Sequence, residues 1–175
     1  EMMINIGLKI PETGNGVTDL WDELRYELDW IQTMQDDDGG VYFKLTAKGF
    51  SGFVMPEDYD LDRYIIGKGT ASTLDFAAVL AQASRLYTEI DADWSAKALE
   101  ASKKAFIWAE QNDNIAFKNP EDVSTGEYGD NEFSDDFFWA ASELYLATKE
   151  DQYKVAMNKY EQTYEHKLAD SWKNF

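Results

Sequence analysis

The sequence predicts an all-α protein whose helices are separated by two long loops, and three observations carry that reading. Apolar residues recur at three- and four-residue spacing over five separate stretches, as on one face of a helix. Between them, residues 39–70 and 112–132 lose that period and are punctuated by glycine and proline. Hydrophobic residues make up 44% of the 175-residue chain, enough for a globular core.

The elements follow in order. Residues 1–16 are short and turn-rich, with Pro11, Gly14 and Gly16. Thr18 is expected to cap the first helix, with Asp19, Asp22 and Glu23 in its first turns, where carboxylates suit the helix dipole. Leu20, Leu24, Leu28, Ile31 and Met34 form its apolar face, and Asp36–Gly40 ends it. Residues 41–46 suit a short strand. Phe76, Val79, Leu80, Ala83, Leu86 and Tyr87 mark a second helix, and Trp94, Ala98, Ala101, Ala105 and Trp108 a third. Phe133, Phe137, Ala140, Ala141 and Leu144 mark a fourth. A fifth carries Tyr153, Ala156, Met157, Tyr160, Tyr164 and Leu168. Ala77-Ala78 and Ala140-Ala141 allow helices to approach closely. Non-helical stretches as long as residues 39–70 are uncommon in compact domains and are often functional.

Composition removes several function classes. Asp and Glu number 34 against 16 Lys and Arg, a formal net charge of −18. With no basic run to neutralise phosphates, neither nucleic acid nor an anionic membrane is an expected partner. There is no cysteine, so disulfides, thiolate metal sites and a cysteine nucleophile are excluded. The single histidine, His166, lies on a Lys- and Glu-rich helix end and reads as a surface residue. No run of about 18 apolar residues exists to span a membrane. The 6 Trp, 10 Tyr and 10 Phe are many for this length. Most of these rings suit a helical core, and a few in loops suit the C–H-lined faces of sugars.

Several blocks in order give the chain a family likeness. They are Asp19–Trp30, Gly39–Thr46, Val54–Asp58, Arg63-Tyr64, Thr70–Arg85, Thr125–Asp130 and Asp135–Tyr145, with Asp170-Ser171-Trp172 beginning a further one. Together these resemble the catalytic domain of glycoside hydrolase family 9, mostly endo-β-1,4-glucanases (cellulases). The resemblance implies part of an (α/α)6 toroid of the six-hairpin glycosidase type. It implies hydrolysis of β-1,4-glucan with inversion, which needs a carboxylate base and a carboxylic acid roughly 6.5–9.5 Å apart. The family's Asp-Ala-Gly-Asp base motif does not occur in the sequence, and no matching distal acid is found. Residues 1–175 are therefore expected to form a single incomplete segment of the catalytic domain. No catalytic residue is carried over, and the segment alone is expected to be inactive.

The resemblance does supply candidates for binding. Tyr42 and Phe43 stand in a loop expected at the rim of the cleft, with Phe43 where many relatives carry histidine. Tyr128 is placed to meet a sugar face and Arg63 to hydrogen-bond hydroxyls. Each also fits a structural role, the rings as loop packing and Arg63 as an ion-pair partner of Asp58, Asp60 or Asp62. No cofactor is expected for the chemistry. A structural calcium is implied at Thr125, Gly126, Asp130, Asp135 and Asp136, since hard cations take carboxylate and carbonyl oxygens. The same carboxylates also suit a helix N-terminus. The run Asp36–Gly40 resembles half of a calcium loop but lacks the later glutamate, and reads as a solvated turn.

The expected partner is a β-glucan or related polysaccharide. The expected location is secreted or periplasmic, from the family alone. A toroid segment would also expose apolar faces that invite self-association. The alternative is a non-catalytic helical module that binds a glycan or a protein.

Overall fold

In the computed structural model, which describes residues 9–161, helices dominate. Their order is α1 (Asp19–Gln32), β1 (Tyr42–Thr46), a single 3-10 turn (Pro56–Asp58), β2 (Tyr64–Lys68), α2 (Thr70–Tyr87), α3 (Ala92–Gln111), α4 (Ser134–Thr148) and α5 (Asp151–Glu161). The readings of His166, Tyr164, Leu168 and Asp170–Trp172 lie outside the described residues. No described helix is long and apolar enough to cross a membrane.

The core is the hairpin α2–α3 with α4 packed on α2 and α5 folded back on α4. Small residues make this possible. Ala77, Ala78 and Ala81 on α2, Ala98, Ala105 and Ala109 on α3, and Ala140 and Ala141 on α4 are fully buried. Leu74, Leu80 and Leu144 fill the space between them. Hydroxyls at the close approaches are satisfied across helices: Ser102 Oγ donates to the Ala77 carbonyl at 2.5 Å and Ser95 Oγ to the Ser84 carbonyl at 2.6 Å. Arg85 of α2 pairs with Glu143 of α4.

Local signals set the helix ends. Asp91 caps α3, its carboxylate accepting the Trp94 N–H at 3.0 Å. Lys149, at φ 62°, takes the left-handed position that ends α4, and its N–H bonds the Tyr145 carbonyl. Thr18 stands at the N-cap of α1 as expected, though its side chain makes no capping bond. The turn-rich segment intervenes instead. Thr13 Oγ1 donates to the buried Asp19 carboxylate at 3.0 Å, and the Asn15 amide donates to Asp22.

An aromatic cluster docks α1 on the α2–α3 turn. Tyr87 lies edge-on to Trp21 and beside Trp94, and its hydroxyl donates to the Trp21 carbonyl at 2.5 Å. Trp94 Nε1 donates to Asp29, and the Arg25 guanidinium sits 4.4 Å over the Trp94 ring. The outer face of α1 leaves Tyr26 and Trp30 exposed.

Residues 39–70 contain a β-hairpin. The strand expected at 41–46 is β1, and its antiparallel partner β2 pairs Tyr42 with Lys68 and Thr46 with Tyr64. The turn before β1 is tight. A Cβ on Gly40 would lie 2.5 Å from Trp108 Cε2 and 2.8 Å from its Nε1. Trp108 is itself held by Asp38, which accepts its Nε1–H at 3.1 Å. Gly40→Ala is therefore expected to displace Trp108 and destabilise the chain by about 1–3 kcal/mol. A urea midpoint equal to wild type would show that Gly40 is not wedged there.

Candidate functional site

The β1–β2 hairpin and residues 112–132 lie together at one end of the helices. The start of α2 ties them: Thr70 N–H donates to the Ile115 carbonyl and Thr70 Oγ1 to the Asn112 carbonyl. Two clefts adjoin strand β1. One, of about 390 Å³, includes Trp30, Tyr42, Phe43, Asp75 and Phe76 in its wall. The other, of about 300 Å³, is bounded by Phe50, Tyr59, Gly126 and Tyr128. Lys44 and Leu45 border both.

The four binding candidates are distributed over this surface. Tyr42 and Phe43 face the first cleft, Tyr128 the second, and Arg63 neither. Tyr42 is half-buried and donates its hydroxyl to Asp36 at 3.1 Å. Phe43 stacks on Phe117, centroids 3.9 Å apart and planes within 5°, so one of its faces is already covered. Arg63 is exposed and makes no ion pair with Asp58, Asp60 or Asp62 among the described residues. Tyr128 is 83% exposed. Its backbone is in the left-handed region, φ 48°, and its ring lies over Gly126, where a Cβ would come within 2.3 Å of it.

The Asp36–Gly40 turn is not simply solvated. The Lys68 ammonium bridges Asp36 at 2.5 Å and both oxygens of Asp38 at 2.9 Å. The hydrogen bond from Lys68 is the main reason that the Asp36 carboxyl falls to about 2. Lysine thus supplies the positive charge that the resemblance to a calcium loop suggested.

The five calcium candidates occupy two places. Thr125 and Gly126 are committed to lysine: Lys44 Nζ donates to the Gly126 carbonyl at 2.7 Å and to Thr125 Oγ1 at 3.2 Å. Asp130 and Asp135 act instead on Asp136 and on Asp75, a residue that sequence reasoning missed. Burial, then Asp75, Asp135 and Asp130, push the Asp136 carboxyl up to about 7. Its Oδ2 is buried and has no hydrogen-bond partner. Asp75, on the second turn of α2, is exposed to solvent. Even so, the protein around it, then Asp135 and Asp130, raise it to about 6. One signal existed in the sequence: Asp75 interrupts the otherwise apolar and small run Ala71–Leu80. Among the described residues no three acidic or histidine side chains are close enough together to hold a metal by themselves.

The likeness noted in the sequence extends to known proteins. The family model "Glycosyl hydrolase family 9" matches residues 2–175. The chain is 44% identical, over 95% of its length, to a xyloglucan-specific endo-β-1,4-glucanase of Bacteroides ovatus, and spans 30% of that protein. It is 37% identical over 85% of its length to endoglucanase D of Acetivibrio thermocellus, spanning 24% of it. Among solved structures, a Bacteroides ovatus family 9 protein superposes with TM-score 0.88 and 42% identity, over 97% of this chain and 32% of that one. A second, AaCel9A in complex with a cellobiose-like isofagomine, gives TM-score 0.80 and 30% identity, over 84% of this chain and 28% of that one. The helical hairpins described above are thus those of a six-hairpin glycosidase, and the chain belongs to glycosyl hydrolase family 9.

Proposed function

We propose that the chain is part of an inverting β-1,4-glucan hydrolase and contributes glycan-binding surface rather than the acid or the base. The observation that carries this is the 44% identity, across 95% of the chain, to a xyloglucan-specific endo-β-1,4-glucanase. The cleft bounded by Tyr128, Tyr59 and Phe50 supports it, because exposed flat rings suit sugar faces. Tyr42 and the uncovered side of Phe43 offer further contacts, and Arg63 remains available to hydroxyls. A polymeric glucan is met outside the cytoplasm, so we place the protein in the periplasm or the medium. The exposed Tyr26 and Trp30 of α1 favour apolar packing on that face, against further helices or a second copy.

A structural calcium is the second part of the proposal. It would take the Asp136 carboxylate and at most one of Asp75, Asp130 and Asp135, and complete its shell with backbone carbonyls and water. The orphaned Asp136 Oδ2 and the mutual repulsion of these carboxylates support it. Thr125 and Gly126 are not part of this set, because the Lys44 ammonium already uses their oxygens.

Fluorescence titration with cellohexaose tests the binding surface. Wild type is expected to bind saturably, and Tyr128→Ala to lose about 1 kcal/mol, the scale of one ring contact, or about fivefold in Kd. Reducing-sugar assays on the same wild-type chain are expected to show no release. Unchanged affinity in Tyr128→Ala removes the cleft from the proposal. Hydrolysis by the chain alone contradicts the division of labour.

A further inference from the structure

We infer that Lys44 is a positioning residue, a half-buried cation that fixes the loop 124–128 and thereby sets Tyr128 on the rim of the glycan cleft. This rests on the reading of that cleft as a glycan surface. Lys44 projects from β1 across 82 residues of sequence to the Gly126 carbonyl, at 2.7 Å. It also meets Thr125 Oγ1 at 3.2 Å and, more distantly, the Thr125 carbonyl at 3.5 Å.

All of these acceptors are neutral, and among the described residues Lys44 forms no ion pair. An ammonium has three donors and no acceptor, so a nest of oxygens on one short loop suits it as it would suit a small cation. The Phe117 ring, 5.4 Å from Nζ, adds a cation–π contact. Desolvation lowers the Lys44 pKa, as expected for an amine drawn into the protein. The loop's other ties surround this point. Thr46 Oγ1 donates to Thr125 Oγ1 at 3.1 Å, Asn119 Nδ2 to the Thr125 carbonyl at 2.6 Å, and Ser124 N–H to the Lys48 carbonyl at 2.7 Å.

Tyr128 needs such support. A non-glycine residue at φ 48° is held away from its preferred conformation. Its ring is in contact with Gly126, whose carbonyl Lys44 grips. The aromatic face therefore depends on the ammonium beneath the loop.

Lys44→Met keeps the stem and removes the donors. Two measurements on the full chain test the inference. Hydrogen exchange followed by mass spectrometry is expected to quicken at least tenfold in peptides covering 118–130, with α2 and α3 unchanged. Cellohexaose affinity is expected to fall about as far as in Tyr128→Ala, with no further loss in the double variant. Additive losses would mean that Lys44 contacts the glycan on its own account and would overturn the inference. So would unchanged exchange at 118–130. Should Lys44→Met fail to fold, Thr125→Val removes the acceptor hydroxyl and is expected to give the same pattern more weakly; wild-type behaviour of Thr125→Val overturns the inference too. If Tyr128→Ala binds cellohexaose like wild type, the glycan reading falls, while exchange still decides whether Lys44 holds the loop.

Discussion

Replacing Phe106 by alanine is expected to destabilise the chain by about 3–5 kcal/mol, among the largest losses of any single truncation in this core. Phe106 is 2% exposed. It lies on α3, edge-on to Phe137 of α4 at 6.1 Å between centroids and to Tyr153 of α5 at 5.6 Å. Phe137 in turn stacks on Tyr160 at 4.4 Å. The ring therefore joins the α2–α3 hairpin to the α4–α5 hairpin. The neighbouring small residues, Ala105, Ala109, Ala140 and Ala141, cannot expand into the space it leaves. A domain's whole stability is about 5–15 kcal/mol, so the variant should be close to unfolding. The urea midpoint should fall steeply with little change in slope. Ile107, one position on, is half-exposed and serves as control: Ile107→Ala should stay within about 0.5 kcal/mol. A loss under about 1 kcal/mol in Phe106→Ala would contradict the packing of the two hairpins through this ring.

Stability should fall as pH rises through neutrality, and Asp136 should be the main cause. Its folded pKa is raised from 3.8 to about 7. A carboxyl raised in this way contributes stability that is fully present below its unfolded pKa and is lost as pH climbs through the folded one. The window therefore runs from about pH 4 to about pH 7. The upper bound of the loss is about 4 kcal/mol. Solvent reaches part of the site and Asp75 titrates with it, which brings the expected loss to about 2 kcal/mol. Asp136→Asn should melt higher than wild type at pH 8 and match it near pH 4. Calcium at millimolar concentration should raise the wild-type Tm at pH 8 and leave Asp136→Asn little affected, since an ion that binds only the folded state stabilises it. A wild-type Tm at pH 8 that is the same with calcium and with chelator removes calcium from the proposal.

The helices were legible because their buried faces repeat. On α2, Leu74, Ala77, Ala78, Leu80 and Ala81 lie on one side of a period that tertiary packing reinforces. Strand β1 could be seen from its run of Val and aromatic residues. Its partner β2 could not, because Tyr64–Lys68 buries only Ile66 and carries Gly67, so no alternation marks it. The likeness to the family was legible as ordered blocks, which survive long loops.

The charged contacts were harder to read. Lys68 closes the Asp36–Asp38 turn from 30 residues away, and Lys44 reaches Gly126 across 82. Neither spacing is local, so no motif announces it. The coupling of Asp75 to Asp136 likewise exists only because α2 and α4 pack side by side. Thr18 takes the N-cap position, but the segment before α1 folds back and it is Thr13 and Asn15 that bond the first turn. Phe43 borders the first cleft, but Phe117, brought in by the second loop, takes one face of its ring.

The assignment to β-1,4-glucan is tested most directly by titrating the chain with cellohexaose and with maltohexaose, six-sugar chains that differ in linkage. Saturable binding of cellohexaose, with maltohexaose at least about tenfold weaker, is the expected result. Equal binding of the two, or no binding of cellohexaose, would contradict it.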